Sequence, residues 1–493
     1  MIYRCTGLDC GFLMEDEDGK LREACPVCGK PVKPQDESRL TGGDWSRLGI
    51  FWTEMSEEQE TKEEMERCEK KAYSCFRRGA AIGDALGICN LGWCMEQGVG
   101  TEPDEKQAFW LYSQAAEMGY VPAICNLAIC YEAGIGTHTD RNKAFSLYRE
   151  AAECGYPRAE RLLAFCYEDG IGTKPDEVKA FYWMKRAAEH RDATAQTETG
   201  RMYEFAIGVP EDLKQAALWY ERAAEQEEEN GQCRLAFCFE EGKGVEKDLE
   251  KAFYWYERSA ANGSLRAQTS MYVFLREGRG TQKDEKLAMA YLERAASEGY
   301  GPALWRLGCT WYFGECGHSV DYDLAKTLFE QAAAEGTEEA AFNLGWMYWE
   351  GKGVEKDYGQ SVYWHKKAAL HGDRYSMLYL GLAYLQGLGV EKDENRAKQW
   401  MMESAGLNLG SAELLLAYLS LKEGESADHR AEAQRLCVQA ANDKSREIIW
   451  VKRDFEDAPK DFASVMRRQA DWMEGGEAKE YLDQLLKAID RQK

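Results

Sequence analysis

Four cysteines near the amino terminus, Cys5, Cys10, Cys25 and Cys28, form two pairs, the first with four intervening residues and the second with two. Two thiolate pairs fourteen residues apart suit tetrahedral metal coordination. Zn²⁺ is the expected ion and iron the alternative, since both accept four thiolates. The role would be structural, because four cysteines fill every coordination position and leave none for substrate or activated water. The segment 1–33 is too short to bury a core of its own, so metal binding would supply most of its folding free energy. Arg4, Lys20, Arg22, Lys30 and Lys33 are offset there by an acidic EDEDGK run, which argues against nucleic-acid binding.

Little else in the chain has the spacing of a reaction centre. Six histidines, His138, His190, His318, His365, His371 and His429, are scattered without the HExxH interval of a zinc hydrolase. No nucleophile elbow, P-loop or kinase signature occurs, so the chain does not read as an enzyme. Of the 17 cysteines, pairs such as Cys89/Cys94, Cys125/Cys130 and Cys233/Cys238 lie five apart. On a helix that interval is about 140° of rotation, too far round for a disulfide, and predicts buried free thiols.

The elements that position all this come from a repeat. An alanine recurs in eleven copies from Ala80 to Ala441, at intervals of 36 residues with a single 37 at the loop 314–321. Each period opens with a helix, here helix A, carrying a leucine (Leu91, Leu127, Leu163, Leu235, Leu307, Leu344, Leu380) followed by Gly or Ala, a pairing that lets helices approach closely. Four residues on stands Tyr131, Tyr167, Tyr203, Tyr348 or Tyr384, on the same face. A G-x-G loop follows, its first glycine placed to end helix A with positive φ. An aspartate then recurs nine times, from Asp104 to Asp393, where a cap for helix B is needed. Helix B reads A-x-x-W-Y-x-x-A-A, with its tryptophans as core packing. The G-x-G pattern fails at Ala206, Glu315/Cys316 and Gly424/Glu425, predicting three loops of different shape.

Helices joined by short loops pack antiparallel, and identical hairpins stack in series. The expected fold class is therefore all-α, a right-handed α/α superhelical solenoid of about ten helix-turn-helix repeats, preceded by the four-cysteine zinc ribbon. The expected boundaries are 1–33 ribbon, 34–60 linker around Pro34 and Gly42/Gly43, 61–444 solenoid opening on an unpaired helix near 61–82, and 445–493 helical cap. The formal net charge of −24 repels phosphate backbones and anionic lipid, and favours basic partners. No apolar run is long enough to span a bilayer, and the amino terminus lacks a secretory pattern, so a cytoplasmic location is expected.

The composite D-x-x-x-A-x-x-W-Y-x-x-A-A-x-x-G, then A-x-x-x-L-G-x-x-Y-x-x-G-x-G-V, resembles the Sel-one-like repeat, a relative of the tetratricopeptide repeat. The C-P-x-C-G knuckle after Y-x-C is similar to the rubredoxin-like zinc-ribbon group. The repeat resemblance implies scaffolding, in which partner proteins or peptides are held together, and implies no reaction. By analogy with tetratricopeptide grooves, the residue before the helix A leucine would face the groove: Asn90, Asn126, Arg234, Arg306 and Asn343. Amides and guanidiniums there can hydrogen-bond an extended peptide, with the ribbon as a second contact. The alternative is a redox or hydrolytic protein using the four-cysteine centre or a groove site. An effector exported without a cleaved signal is a third reading.

Overall fold

A computed structural model describes residues 2–5, 13–15, 32–34, 37, 40–59, 61–424, 426–442, 462–473 and 477–490. Two compact units divide the chain between Asn262 and Gly263. The first begins with three strands, β1 (Ile2–Cys5), β2 (Leu13–Glu15) and β3 (Val32–Pro34), in the order β2-β1-β3 with both pairings antiparallel. Arg4 lies opposite Leu13, and Cys5 opposite Val32. Of the expected metal ligands, Cys5 closes β1, whereas Cys10, Cys25 and Cys28 lie outside the described residues.

The rest of the first unit is helical: α1 (Gly42–Glu57), α2 (Lys62–Ala81), α3 (Ala85–Gln97), α4 (Glu105–Glu117), α5 (Val121–Ala133), α6 (Arg141–Glu153), α7 (Pro157–Asp169), α8 (Glu177–Glu189), α9 (Ala193–Glu204), α10 (Leu213–Glu225), α11 (Glu229–Glu241) and α12 (Leu249–Ala261). Each odd-numbered helix packs on the next as a hairpin, and within the unit each hairpin packs on the one after it. The second unit repeats the scheme with α13 (Leu265–Glu277), α14 (Glu285–Ser297), α15 (Gly301–Phe313), α16 (Tyr322–Ala334), α17 (Glu338–Glu350), α18 (Tyr358–Leu370), α19 (Arg374–Gln386), α20 (Glu394–Gly406), α21 (Gly410–Glu423) and α22 (Ala427–Asn442). Helices α23 (Phe462–Trp472) and α24 (Glu477–Asp490) then cover α21 and α22, with Phe462 against Tyr418 and Leu482 and Leu485 buried. That is the closing cap a repeat array needs.

One boundary is corrected. Within 34–60, read as a linker, α1 forms and packs on α2, so the helix expected to stand unpaired is the second half of an eleventh hairpin. Thr41 and Asp44 build a reciprocal capping box, a start signal that the glycine pair between them obscured. Gly42 is needed for a close approach: a Cβ there would sit 2.7 Å from the Asp84 Cβ at the head of α3.

The local chemistry follows the repeat. All nine recurrent aspartates cap an even-numbered helix, each accepting a first-turn backbone N–H. The first loop glycine is left-handed at Gly98, Gly134, Gly170, Gly242, Gly278, Gly351 and Gly387. The second has its own task, since a side chain at Gly136 would overlap the Glu105 carbonyl at the start of α4. The three irregular loops do differ. Ala206 itself takes positive φ, Cys316 does so in the loop carrying the inserted residue, and Gly424 is extended. The small residue after the helix A leucine faces the helix B ring beside it: a Cβ on Gly200 would meet Tyr220 at 2.6 Å, and one on Gly308 would meet Phe329 at 2.7 Å.

That ring position varies from hairpin to hairpin. In four hairpins of the first unit it is a buried tyrosine donating to a helix A glutamate: Tyr112 to Glu96 at 2.6 Å, Tyr148 to Glu132 at 2.6 Å, Tyr220 to Glu204 at 2.7 Å and Tyr256 to Glu240 at 2.8 Å, and in the other two it is Phe76 and Met184. In the second unit it becomes Leu292, Phe329, His365 and Met401, and the partner position carries Arg276, Tyr312, Trp349 and Leu385. A buried phenol needs an acceptor and a buried carboxylate a donor; where Met184 stands at the ring position, Glu168 takes its donor from Arg201 at 2.7 Å instead.

Candidate functional site

All five residues expected to face a groove are half-buried on odd-numbered helices, but their side chains have different partners. The structure brings two of them to one cleft. Asn90 on α3 and Asn126 on α5 line a depression of about 420 Å³ in the first unit. Asn126 is held in place, its amide Nδ2 donating to Cys89 Sγ at 3.6 Å and its Oδ1 accepting from Arg158 Nη1 at 3.3 Å. Asn90 makes no side-chain hydrogen bond among the described residues. Arg234 on α11 lies 3.6 Å from the buried Glu204, which also accepts a hydrogen bond from the Tyr220 hydroxyl, so it serves that internal cluster. In the second unit, Arg306 lies over the Trp305 ring, 4.7 Å from its centroid, and Asn343 accepts from Trp305 Nε1 at 2.9 Å. The amide expected to await a peptide at Asn343 is thus engaged by an indole of the neighbouring hairpin.

The cleft contains residues that the one-position pattern passed over. Trp93 is three residues after Asn90 on α3, and Arg158 occupies α7 one turn before the position equivalent to Asn126. Both intervals keep a helical residue on the same face, so reading i+3 and i−4 around the asparagines would have found them. Tyr120 and Tyr156, at the heads of α5 and α7, form the rim, and Ile50 and Glu54 of α1 form the wall opposite. Burial pushes both phenols up from their ordinary value, which keeps them as neutral donors. Phe76 and the Cys89 thiol make up the floor. Burial pushes Cys89 up to about 12 and Cys125 to about 11, so neither thiol is a nucleophile at neutral pH.

Charge pairing sets Arg158 apart from its neighbours. Arg161 meets Asp192 at 3.1 Å, Arg201 meets Glu168 at 2.7 Å and Glu198 at 2.6 Å, and Arg234 meets Glu204. No described carboxylate pairs with Arg158, whose partners are the Asn126 amide and Tyr156. Glu54 across the cleft is exposed and likewise has no ion-pair partner among the described residues.

The histidines stay dispersed. His190 meets the fully buried Glu160 at 2.8 Å beside Arg186, in the α7–α8 hairpin that also carries Arg158, and His365 is enclosed between α17 and α19, far from the cleft in the repeat. Among the described residues no group of three or more His, Cys, Asp or Glu side chains is arranged to hold a metal ion. No described helix is long and apolar enough to cross a membrane.

Comparison with known proteins bears on the repeat. A family model described as Sel1 repeat matches nine consecutive segments, 85–120, 121–156, 157–192, 193–228, 230–264, 272–300, 301–337, 338–373 and 374–408. The search of curated proteins found no match. Among solved structures, a protective antigen of uropathogenic Escherichia coli displaying an SLR fold is 25% identical, with 92% of this chain and 94% of that one covered and a TM-score of 0.58. A Sel1 repeat protein from Oxalobacter formigenes is 28% identical over 51% of this chain and 96% of its own, with a TM-score of 0.44.

Proposed function

The chain belongs to the Sel1 repeat family, and on that footing we propose that it is a scaffold that binds partner proteins through the groove-facing side of its odd-numbered helices. Repeat proteins of this kind generally serve as protein-interaction scaffolds. The observation that carries the reading is the cleft at Asn90 and Asn126, where amide, aromatic and charged side chains converge and Asn90 is left without an internal hydrogen bond. Such a mixture suits the polar backbone and alternating side chains of an extended peptide. The thiols of Cys89, Cys94, Cys125, Cys130, Cys166 and Cys238, all buried and free, fit a reducing compartment, and we place the protein in the cytoplasm.

We further propose a structural Zn²⁺ bound by Cys5, Cys10, Cys25 and Cys28, making the amino-terminal module a second contact for partners. Its support is the strand register. Cys5 ends β1 at the sheet edge from which β2 starts at Leu13 and β3 at Val32. Cys10 falls in the sequence between Cys5 and Leu13, and Cys28 falls four residues before Val32. The other three thiols, Cys10, Cys25 and Cys28, lie outside the described residues, so the ligand set rests on their spacing in the sequence. Zinc would supply cross-linking there and no reaction.

The test is capture of partners from the native host's lysate. Intact protein is compared with a variant carrying Ala at Asn90, Asn126, Arg234, Arg306 and Asn343, and with one lacking residues 1–33. Specific proteins that bind the intact chain and are lost with the five-residue variant support the groove. Binding unchanged by it refutes the groove assignment. Metal analysis and an absorption spectrum separate zinc, which is colourless, from iron held by four thiolates, which absorbs in the visible when oxidised.

A further inference from the structure

We infer that the cleft between α1, α3, α5 and α7 is a subsite for an extended peptide segment in which an apolar residue stands between a basic side chain and an acidic one. The inference rests on the scaffold reading above and names the chemistry of the occupant.

The charges set the order. Arg161, Arg201 and Arg234 on the odd-numbered helices α7, α9 and α11 each meet a carboxylate. Arg158 has none, although it is exposed beside Asn126. A guanidinium held by an amide acceptor at 3.3 Å and by a neutral phenol keeps donors free for a carboxylate, with which it pairs through two parallel N–H groups. Glu54 on the opposite wall is an unpaired charge of the other sign, which a lysine or arginine of the ligand would complement. Each charge rewards one sign of side chain and penalises the other, so the pair selects a segment with both and fixes which residue lies at which wall.

Between the charged walls the surface is apolar and amide. Ile50, Phe76 and Trp93 offer a seat for one apolar side chain. Asn90, with its amide uncommitted, can donate to a peptide carbonyl and accept from a peptide N–H as one side of an extended strand does. Asn126 is fixed by Cys89 and Arg158, so it orients the guanidinium and is a positioning residue. An acidic side chain within a chain segment is the chosen source of the carboxylate, because the cleft also carries Glu54, a charge of opposite sign that the rest of the segment would meet.

The probes are short acetylated peptides, fluorescein-labelled, each made both amidated and with a free terminal carboxylate, with one lysine, one leucine and one glutamate separated by alanines in every spacing and in both orders. Binding to the full chain is followed by anisotropy. At least one spacing is expected to bind. Replacing its glutamate by glutamine, or making Arg158→Glu, should weaken it about tenfold or more. Arg158→Glu should also come to prefer the same peptide with lysine in place of glutamate, and Glu54→Lys should reverse the preference at the other end. Both side chains are exposed, so unchanged helical circular dichroism will show that the variants fold. Asn90→Ala should lower affinity for all binding peptides alike. The inference is overturned if Arg158→Glu leaves the preference unchanged, or if only peptides with a free terminal carboxylate bind. It is overturned alone if no probe binds while lysate capture still depends on the five groove residues. If that dependence is absent too, the scaffold reading falls with it.

Discussion

Lowering the pH from 7 to 5 should weaken the second unit by about 2 kcal/mol through one side chain, His365. The imidazole is 1% exposed on α18, with Nδ1 at 3.0 Å from Ser376 Oγ and its ring stacked on Tyr379 at 5.2 Å. Nε2 has no partner among the described residues, so a second proton there would be buried without an acceptor. Burial lowers its pKa from 6.5 to about 3. A group depressed in the fold contributes stability in full above its unfolded value, and loses it as the pH falls from 6.5 towards 3. The unfolded imidazole gains about 2.1 kcal/mol from protonation at pH 5 and about 0.2 at pH 7, while the folded one gains almost nothing at either. Asp373, which caps α19, is pushed up by burial and changes in the opposite sense, but it is shared by any variant at 365. His365→Met, the residue at the matching position of α20, should therefore remove about 2 kcal/mol of acid sensitivity whatever its effect at neutral pH. Hydrogen exchange of α18 and α19 in both proteins, corrected for intrinsic rates, reads the difference. Equal pH dependence in the two, or an imidazole that titrates above pH 5 by nuclear magnetic resonance, would refute the argument.

Gly136→Ala and Gly119→Ala should differ although both φ values are positive. Gly119 has open space around its Cβ position and should cost about 1 kcal/mol from strain alone, whereas Gly136 abuts the Glu105 carbonyl and should cost about 2 kcal/mol or more, by thermal melting. Arg191 takes φ 68° at a position that is glycine after α2, α4 and α6, so Arg191→Gly should stabilise the first unit by about 0.5–1 kcal/mol. Removing the cap with Asp140→Ala should lower stability by about 1 kcal/mol, since α6 loses the acceptor for the Lys143 N–H. Cys25→Ser should abolish bound zinc while leaving helical circular dichroism nearly intact; a collapse of the helical signal would show that the amino-terminal module and the solenoid fold as one.

Much of the fold was legible because a repeat tests each inference many times over. One aspartate before a helix is a weak signal, but nine in one register leave only a cap, and each is a cap in the structure. The same holds for the first loop glycine and for the small residue that admits the Tyr220 or Phe329 ring. Legibility ended where the period does. Helix α1 lies before the first full copy, its capping box is a single instance, and its glycine pair looks like a hinge until Asp84 is known to press against it.

The candidate site divides along the same line. Sequence periodicity determines which residues share a helix face, and so it placed Asn90 and Asn126 in equivalent positions. It does not determine their partners, since a hydrogen bond between hairpins joins residues some 30 to 40 apart whose pairing depends on packing. Tertiary contact decided that Asn343 is engaged by Trp305, that Arg234 serves the Glu204 cluster, and that Arg158 in the cleft is left without a carboxylate. The physical reason is that fold is specified by recurring short-range geometry, whereas recognition depends on which polar groups remain unsatisfied after every neighbour has taken its share.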